Sequence, residues 1–190
     1  VGLNVAADPL FTISYTGVNA GMIIAVADDP GMHSSQGEQD SRFFADFAKI
    51  PCFEPTNQQE CYEMTREAFD ISEKYKVPVL IRMVTRLAHS RAGIRPWDKV
   101  RAQNPVKKPE DTRGWRLLPA IAQKLWIDLL ETNKEFAAYS ETTPFNRLTI
   151  NPDYKKVGII TTGLGKNYFE ENLADMGVKP SHLHIGFYPA

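Results

Sequence analysis

The chain gathers Asp28, Asp29, His33, Glu38 and Asp40 with Ser34, Ser35 and Gln36 in one short polar segment. Carboxylates, an imidazole and small hydroxyl or amide groups at that density suit the binding of a polar small molecule, and they equally suit a solvated loop. The segment follows Met22-Ile23-Ile24-Ala25-Val26-Ala27, a continuous apolar run of the kind that a strand buried on both faces requires. It therefore reads as a loop at the carboxyl end of a strand, where open α/β sheets carry ligand sites.

The other chemistry-bearing groups point to less. Gly163-Leu164-Gly165 lies between a strand and a helix, as in a dinucleotide fingerprint, but Tyr168 stands at the third glycine position. The next strand ends in Phe187-Tyr188-Pro189 with no acid for a ribose, so the motif reads as a tight βα turn. His182 and His184 lie two apart on a strand and share a face, a spacing that can ligate metal; no third ligand stands nearby, and no metal site is expected. Cys52 and Cys61 match no zinc or iron–sulfur spacing and read as buried thiols. The sequence contains no phosphate-loop, serine-elbow or Cys-x-x-Cys motif. With 22 Lys+Arg against 23 Asp+Glu, the 190-residue chain has no electrostatic reason to seek nucleic acid or an anionic membrane. Its longest apolar run falls far short of the roughly 20 residues of a membrane helix, and no signal segment opens it, so a cytoplasmic protein is expected.

The elements around these groups follow from periodicity and caps. A short helix over about 39–49 leads through Pro51 to a second strand near Cys52-Phe53-Glu54. Thr56 or Asn57 caps the next helix, with Gln59 or Glu60 completing a capping box. Cys61, Met64, Ala68, Ile71 and Tyr75 form its apolar stripe, while Glu63, Arg66, Glu67 and Glu73 face water. Val79 to Thr85 reads as another buried parallel strand, with Arg86 to Arg91 at its carboxyl end. Between Arg91 and Arg116, eight basic and three acidic residues with Pro96, Pro105 and Pro109 end the hydrophobic period, which marks a linker or surface strap. A helix from about Leu118 to Tyr139 carries Leu118, Ile121, Leu125 and Leu129 on one face and is expected to pack on a sheet. Asn146 to Tyr154 reads as turn. Strand 156–161, helix 166–176 and strand 182–187 then make one βαβ unit. Neither half has the usual four to six strands, so each is expected to be a piece of a larger domain, and open edges predict a dimer or larger assembly.

The run Ala27-Asp28-Asp29-Pro30-Gly31-Met32-His33-Ser34-Ser35-Gln36, with Glu38-Gln39-Asp40 and Arg42, closely resembles the alpha subunits of the indolepyruvate ferredoxin oxidoreductase family. So do Val1 to Leu10, Phe47 to Pro51, Phe53-Glu54-Pro55, Pro78 to Arg82 and Thr85-Arg86-x-x-His89-Ser90-Arg91; 156–189 is similar more loosely.

The resemblance implies a thiamine-diphosphate enzyme that oxidatively decarboxylates an aryl 2-oxoacid to its acyl-CoA and passes electrons through iron–sulfur clusters to ferredoxin. The fold it implies is α/β. Residues 1–91 would form an incomplete, parallel-sheet pyrimidine-binding domain, 92–154 a basic linker and connecting helix, and 155–190 the start of a domain similar to the transketolase carboxyl-terminal domain. The glutamate that activates the cofactor is expected before Val1. The metal motif for the diphosphate's Mg, the clusters and the CoA site would lie elsewhere, since the chain has no Gly-Asp pair. The remainder of the alpha subunit, a beta subunit and ferredoxin are the implied partners.

Within the wall that this chain would contribute, resemblance puts Gly2 and Asn4 near the pyrimidine and His33, Ser34, Ser35 and Gln36 near the oxoacid. Arg86 and His89 match an Arg-x-x-His pattern at the active-site edge of a pyruvate-oxidising relative. An arginine paired bidentately with a carboxylate is the natural anchor for an oxoacid, and Arg86, Arg82 and Arg42 all remain open for that role. Pyruvate-specific relatives carry an arginine where this loop has Gln36. Two alternatives stand beside this reading: a non-catalytic binding module on the same scaffold, and an oxidoreductase for another 2-oxoacid.

Overall fold

The structure, a computed structural model, describes residues 2–32, 35–102, 104–105 and 107–189. Helices α1 (Gly2–Val5) and α2 (Ala7–Thr16) lead into β1 (Ile23–Asp28). Then come α3 (Arg42–Ala48), β2 (Cys52–Phe53), α4 (Gln58–Tyr75), β3 (Val79–Val84) and α5 (Thr85–His89). An exposed strap with one 3-10 turn at Arg113–Trp115 reaches α6 (Pro119–Ser140), and β4 (Arg147–Thr149), β5 (Gly158–Thr162), α7 (Gly165–Asn172), β6 (Ser181–Ile185) and β7 (Phe187–Tyr188) complete the chain.

The first sheet has the order β1-β3-β2-β7, with β1, β3 and β2 parallel and β7 antiparallel. Side chains alternate along β3 and divide the core between the two sheet faces. Val79 and Ile81 join Phe53, Met64, Ala68, Ile71 and the α6 residues Leu129 and Phe136 on one side. Leu80 joins Cys52, Leu10, Ala45 and Ala48 on the other. β3 sits inside the sheet, and its first four residues are buried. β1 instead forms the sheet edge with Ala25 and Ala27 exposed, so the expectation of burial on both faces fails there.

Helix α4 starts as its caps require. The Asn57 side chain accepts the Glu60 N–H at 2.9 Å, and Glu60 Oε2 reaches back to the Thr56 amide and hydroxyl at 2.9 and 2.6 Å. Asn57 is thus the cap, and the reciprocal bond to Glu60 comes from Thr56, one residue earlier than in a simple capping box. The stripe Met64, Ala68 and Ile71 is buried as its spacing predicts. Helix α6 packs on one face of the first sheet, beside α2 and against β7, as expected; Leu129 and Phe136 carry that contact, while Leu118 is exposed.

Two expectations in the last third need correction. Arg147–Thr149 is not turn but an edge strand, pairing antiparallel with β6 in the mixed sheet β4-β6-β5. The strand expected over 182–187 ends at Ile185, because Gly186 turns the chain out of that sheet and into the first one. The Gly186 and Phe187 amides both donate to Asn146 Oδ1 at 2.9 Å, and the Gly186 carbonyl accepts from the Glu54 amide at 2.8 Å. A Cβ on Gly186 would lie 2.9 Å from the Phe145 carbonyl oxygen, so only glycine fits this crossing. Phe187 then seats edge-on to Phe53, with ring centroids 4.9 Å apart.

Candidate active site

Parallel register builds a charged floor at the carboxyl end of the first sheet. Cys52 pairs with Leu80 and Val26 with Arg82, so Glu54, Arg82 and Asp28 lie on the face shared with Leu80. Arg82 is 5% exposed and Glu54 and Asp28 are each 3% exposed, a depth at which charges persist only when paired. Arg82 Nε donates to Asp28 Oδ2 at 2.6 Å, and its Nη1 pairs with Glu54 Oε1. Asp28 Oδ2 also accepts the Ser41 amide and hydroxyl at 2.9 and 2.8 Å. Glu54 Oε2 accepts the Tyr188 hydroxyl at 2.8 Å. Burial works against the Arg82 charge, but Glu54 and Asp28 outweigh it and hold the guanidinium above its ordinary value. Burial, then the neighbouring Glu54, pushes the Tyr188 phenol up.

Arg42 forms the rim of this floor. It grips Asp40 at 2.8 Å (Nε–Oδ1) and 2.5 Å (Nη2–Oδ2), and its Nη1 donates to Thr162 Oγ1 at 3.2 Å. The Arg42 hydrogen bond holds the Asp40 carboxyl below the usual carboxylate range. The β5–α7 turn lies on top: Gly163, at φ +46°, packs directly on the Glu54 carboxylate.

Between floor and turn opens a cleft of about 680 Å³. Arg86 and His89 line it from α5, Val84 from β3, and Leu164 and Tyr168 from the turn and α7. Arg86 is exposed and rests against Tyr168, and no carboxylate lies within ion-pair distance of it among the described residues. The three candidate arginines therefore differ: Arg82 is buried between two carboxylates, Arg42 is clamped to Asp40, and Arg86 faces the cleft.

The other site expectations fall elsewhere. Gly2 and Ser35 line a second pocket of about 360 Å³ that runs along β1, and Gln39 borders both cavities. The Ser35 amide donates to Asp29 Oδ2 at 2.9 Å. Gln36 and Asn4 are exposed and line neither cavity. His33 and Ser34 lie outside the described residues. Sequence reasoning missed the Glu54–Arg82 pair as the floor, although a lone charge in each of two apolar strands already demanded a partner. It also missed Tyr168, for which no local signal exists.

His182 and His184 share the Thr161 hydroxyl, at 2.7 and 3.3 Å, and Phe169 lies against the His182 ring. Burial pushes His184 down to about 4. The fold therefore favours the neutral imidazole over the unfolded chain, where histidine titrates near its ordinary ~6.5. That contribution is fully present above about pH 6.5 and is lost as the pH falls from there through about 4. Urea titrations of the chain across this window are expected to show falling unfolding free energy, and His184→Asn to flatten the fall.

A family model described as "Pyruvate flavodoxin/ferredoxin oxidoreductase, thiamine diP-bdg" matches residues 23–152. The chain belongs to that family. Within this oxidoreductase family match lie the floor residues Asp28, Asp40, Arg42, Glu54 and Arg82 and the cleft residues Arg86 and His89. Thr162, Tyr168 and Tyr188 lie beyond it. Among curated relatives, Indolepyruvate oxidoreductase subunit IorA of Methanothermobacter marburgensis is 39% identical over all of this chain. The protein of the same name from Pyrococcus horikoshii is 44% identical over 94% of it. The chain spans 31% and 28% of those relatives' lengths. In fold, the whole chain matches 41% of 2-oxoglutarate:ferredoxin oxidoreductase from Magnetococcus marinus, with a TM-score of 0.68 at 15% identity.

Proposed function

We propose that this chain is one wall of the active site in the alpha subunit of a thiamine-diphosphate-dependent oxidoreductase. The enzyme oxidatively decarboxylates aryl 2-oxoacids, indolepyruvate among them, to acyl-CoA with ferredoxin as electron acceptor. The single observation that carries this reading is Arg86, a guanidinium facing a cleft at the carboxyl end of β3 with no carboxylate partner among the described residues. Such a group pairs bidentately with an oxoacid carboxylate. His89, one helical turn on, lines the same cleft and is the neighbouring donor.

The pocket along β1 fits the aminopyrimidine ring of the cofactor. A Cβ on Gly2 would meet nothing within 4 Å, Val26 offers an apolar wall, and Ser35 and Asp29 form a polar rim. When bound, thiamine diphosphate supplies the thiazolium at which a 2-oxoacid loses its carboxylate. This chain's residues hold and orient; among the described ones, no group of three His, Cys, Asp or Glu side chains can bind the diphosphate's Mg. That ion, the iron–sulfur clusters and CoA are assigned to other parts of the enzyme.

In this reading residues 1–91 are the pyrimidine-binding part, 92–154 the connector and 155–190 the start of a transketolase-like carboxyl-terminal domain. The loop His33, Ser34, Ser35 and Gln36 approaches the substrate, and Asn4 approaches the pyrimidine. A beta subunit, ferredoxin and a second alpha subunit are the partners. No helix among the described residues is long and apolar enough to cross a membrane, which accords with a cytoplasmic enzyme. The test is steady-state kinetics of the intact enzyme with an aryl 2-oxoacid: Arg86→Ala is expected to raise KM about tenfold or more, as loss of a charge-assisted pair predicts. An unchanged KM would sink the assignment.

A further inference from the structure

We infer that Tyr168 is a positioning residue, which sets the Arg86 guanidinium in the geometry that receives the substrate carboxylate. This rests on the reading of Arg86 as the oxoacid anchor and extends it to a residue outside the family match. An arginine side chain carries about 2 kcal/mol of rotamer entropy, and an exposed one without an ion partner samples many poses. Arg86 is held in one. Its guanidinium lies over the Tyr168 ring, 5.3 Å from the centroid, and its Nη1 donates to the Tyr168 hydroxyl. Among the described residues no hydrogen bond engages Nε or Nη2. The edge left open is therefore the Nε–Nη2 fork, which matches a carboxylate bidentately.

Tyr168 itself stands on a fixed base. Lys166 pairs with the buried Glu60 carboxylate of α4 at 3.3 Å, and Asn167 Nδ2 donates to the Thr56 carbonyl at 3.0 Å. Helix α7 is thereby pinned to the cap of α4, so the ring that carries Arg86 does not drift with the exposed surface. Preorganisation of this kind improves affinity by removing the ordering cost at the moment of binding.

The experiment is calorimetric titration of the intact enzyme with phenylpyruvate in the absence of CoA and ferredoxin, so that no steady turnover masks the heat of binding. Tyr168→Ala is expected to weaken binding about tenfold, and Tyr168→Phe, which keeps the ring, only about two- to threefold. Arg86→Ala is expected to weaken it about thirtyfold, and Arg86→Ala/Tyr168→Ala to match Arg86→Ala alone, because Tyr168 acts only through Arg86. Wild-type affinity in Tyr168→Ala, or losses that add in the double variant, would overturn the role of Tyr168 while leaving Arg86 as anchor. Wild-type affinity in Arg86→Ala, or no oxoacid binding by the unaltered enzyme, would overturn the anchor and this inference with it. Melting temperatures of the Phe and Ala variants within a few degrees of wild type separate positioning from loss of fold, since Tyr168 is 48% exposed.

Discussion

Arg82→Met is expected to destabilise the chain by about 3–5 kcal/mol, because it strands two buried carboxylates while leaving the apolar volume nearly unchanged. Asp28 keeps the Ser41 amide and hydroxyl, and Glu54 keeps Tyr188, but neither keeps a cation in direct contact. The nearest remaining one is Arg42, whose Nη1 lies 3.7 Å from Glu54 and whose strong bonds go to Asp40. Arg82→Lys retains the charge but cannot reach both carboxylates with a planar fork, so a smaller loss is expected. Adding Glu54→Gln to Arg82→Met removes one of the stranded charges, and the double variant is expected to be at least as stable as Arg82→Met alone. Urea unfolding of these three variants and of Glu54→Gln alone, followed by circular dichroism, measures all of this. Additive losses would mean that Arg82 and Glu54 do not depend on one another.

Gly163→Ala is the second large effect, at about 2–5 kcal/mol from two sources that act together. The backbone at φ +46° lies in the left-handed region that costs an L side chain about 1–2 kcal/mol. The new Cβ would also stand 2.6 Å from Glu54 Oε1 and 2.9 Å from Glu54 Cδ and Cγ. Glu54 cannot swing aside as a surface glutamate does, because Arg82 and Tyr188 hold both of its oxygens. Gly177→Ala is the matched control: its φ is +65°, and nothing lies within 4 Å of the added Cβ, so only the backbone cost remains. Equal melting-temperature shifts for the two variants would show that contact with Glu54 contributes nothing. Because Gly163 bridges the charged floor and the cleft, Gly163→Ala is also expected to change oxoacid affinity, whereas Gly177→Ala is not.

These two effects arise where a locally readable feature meets a distant one. The tight βα turn at Gly163 was legible from its residues, and so were α4, its stripe Met64, Ala68 and Ile71, and the choice of Thr56 or Asn57 for its cap, which the structure gives to Asn57. Such features depend on neighbours within four residues, which a sequence displays directly. Strand β4 was not legible: three exposed residues, Arg147, Leu148 and Thr149, carry too short an alternation to register, and only pairing with β6 makes them a strand. The crossing at Gly186 was hidden in the same way, since its partners Asn146, Phe145 and Glu54 lie 40, 41 and 132 residues away.

For the site the division follows the same physical line. The run from Ala27 to Arg42 and the Arg86-x-x-His89 spacing carried the family resemblance, and apolar periodicity put both at the carboxyl ends of strands. Which arginine faces the open cleft was decided only by tertiary structure. Arg42, Arg82 and Arg86 are chemically identical, and what separates them is the parallel register that brings Asp28 and Glu54 onto Arg82, the local clamp of Asp40 on Arg42, and the arrival of Tyr168 beside Arg86. A guanidinium's role depends on which carboxylates reach it within about 4 Å, and the contacts of Arg82 with Glu54 and Asp28, 28 and 54 positions away, exist only once the sheet has formed.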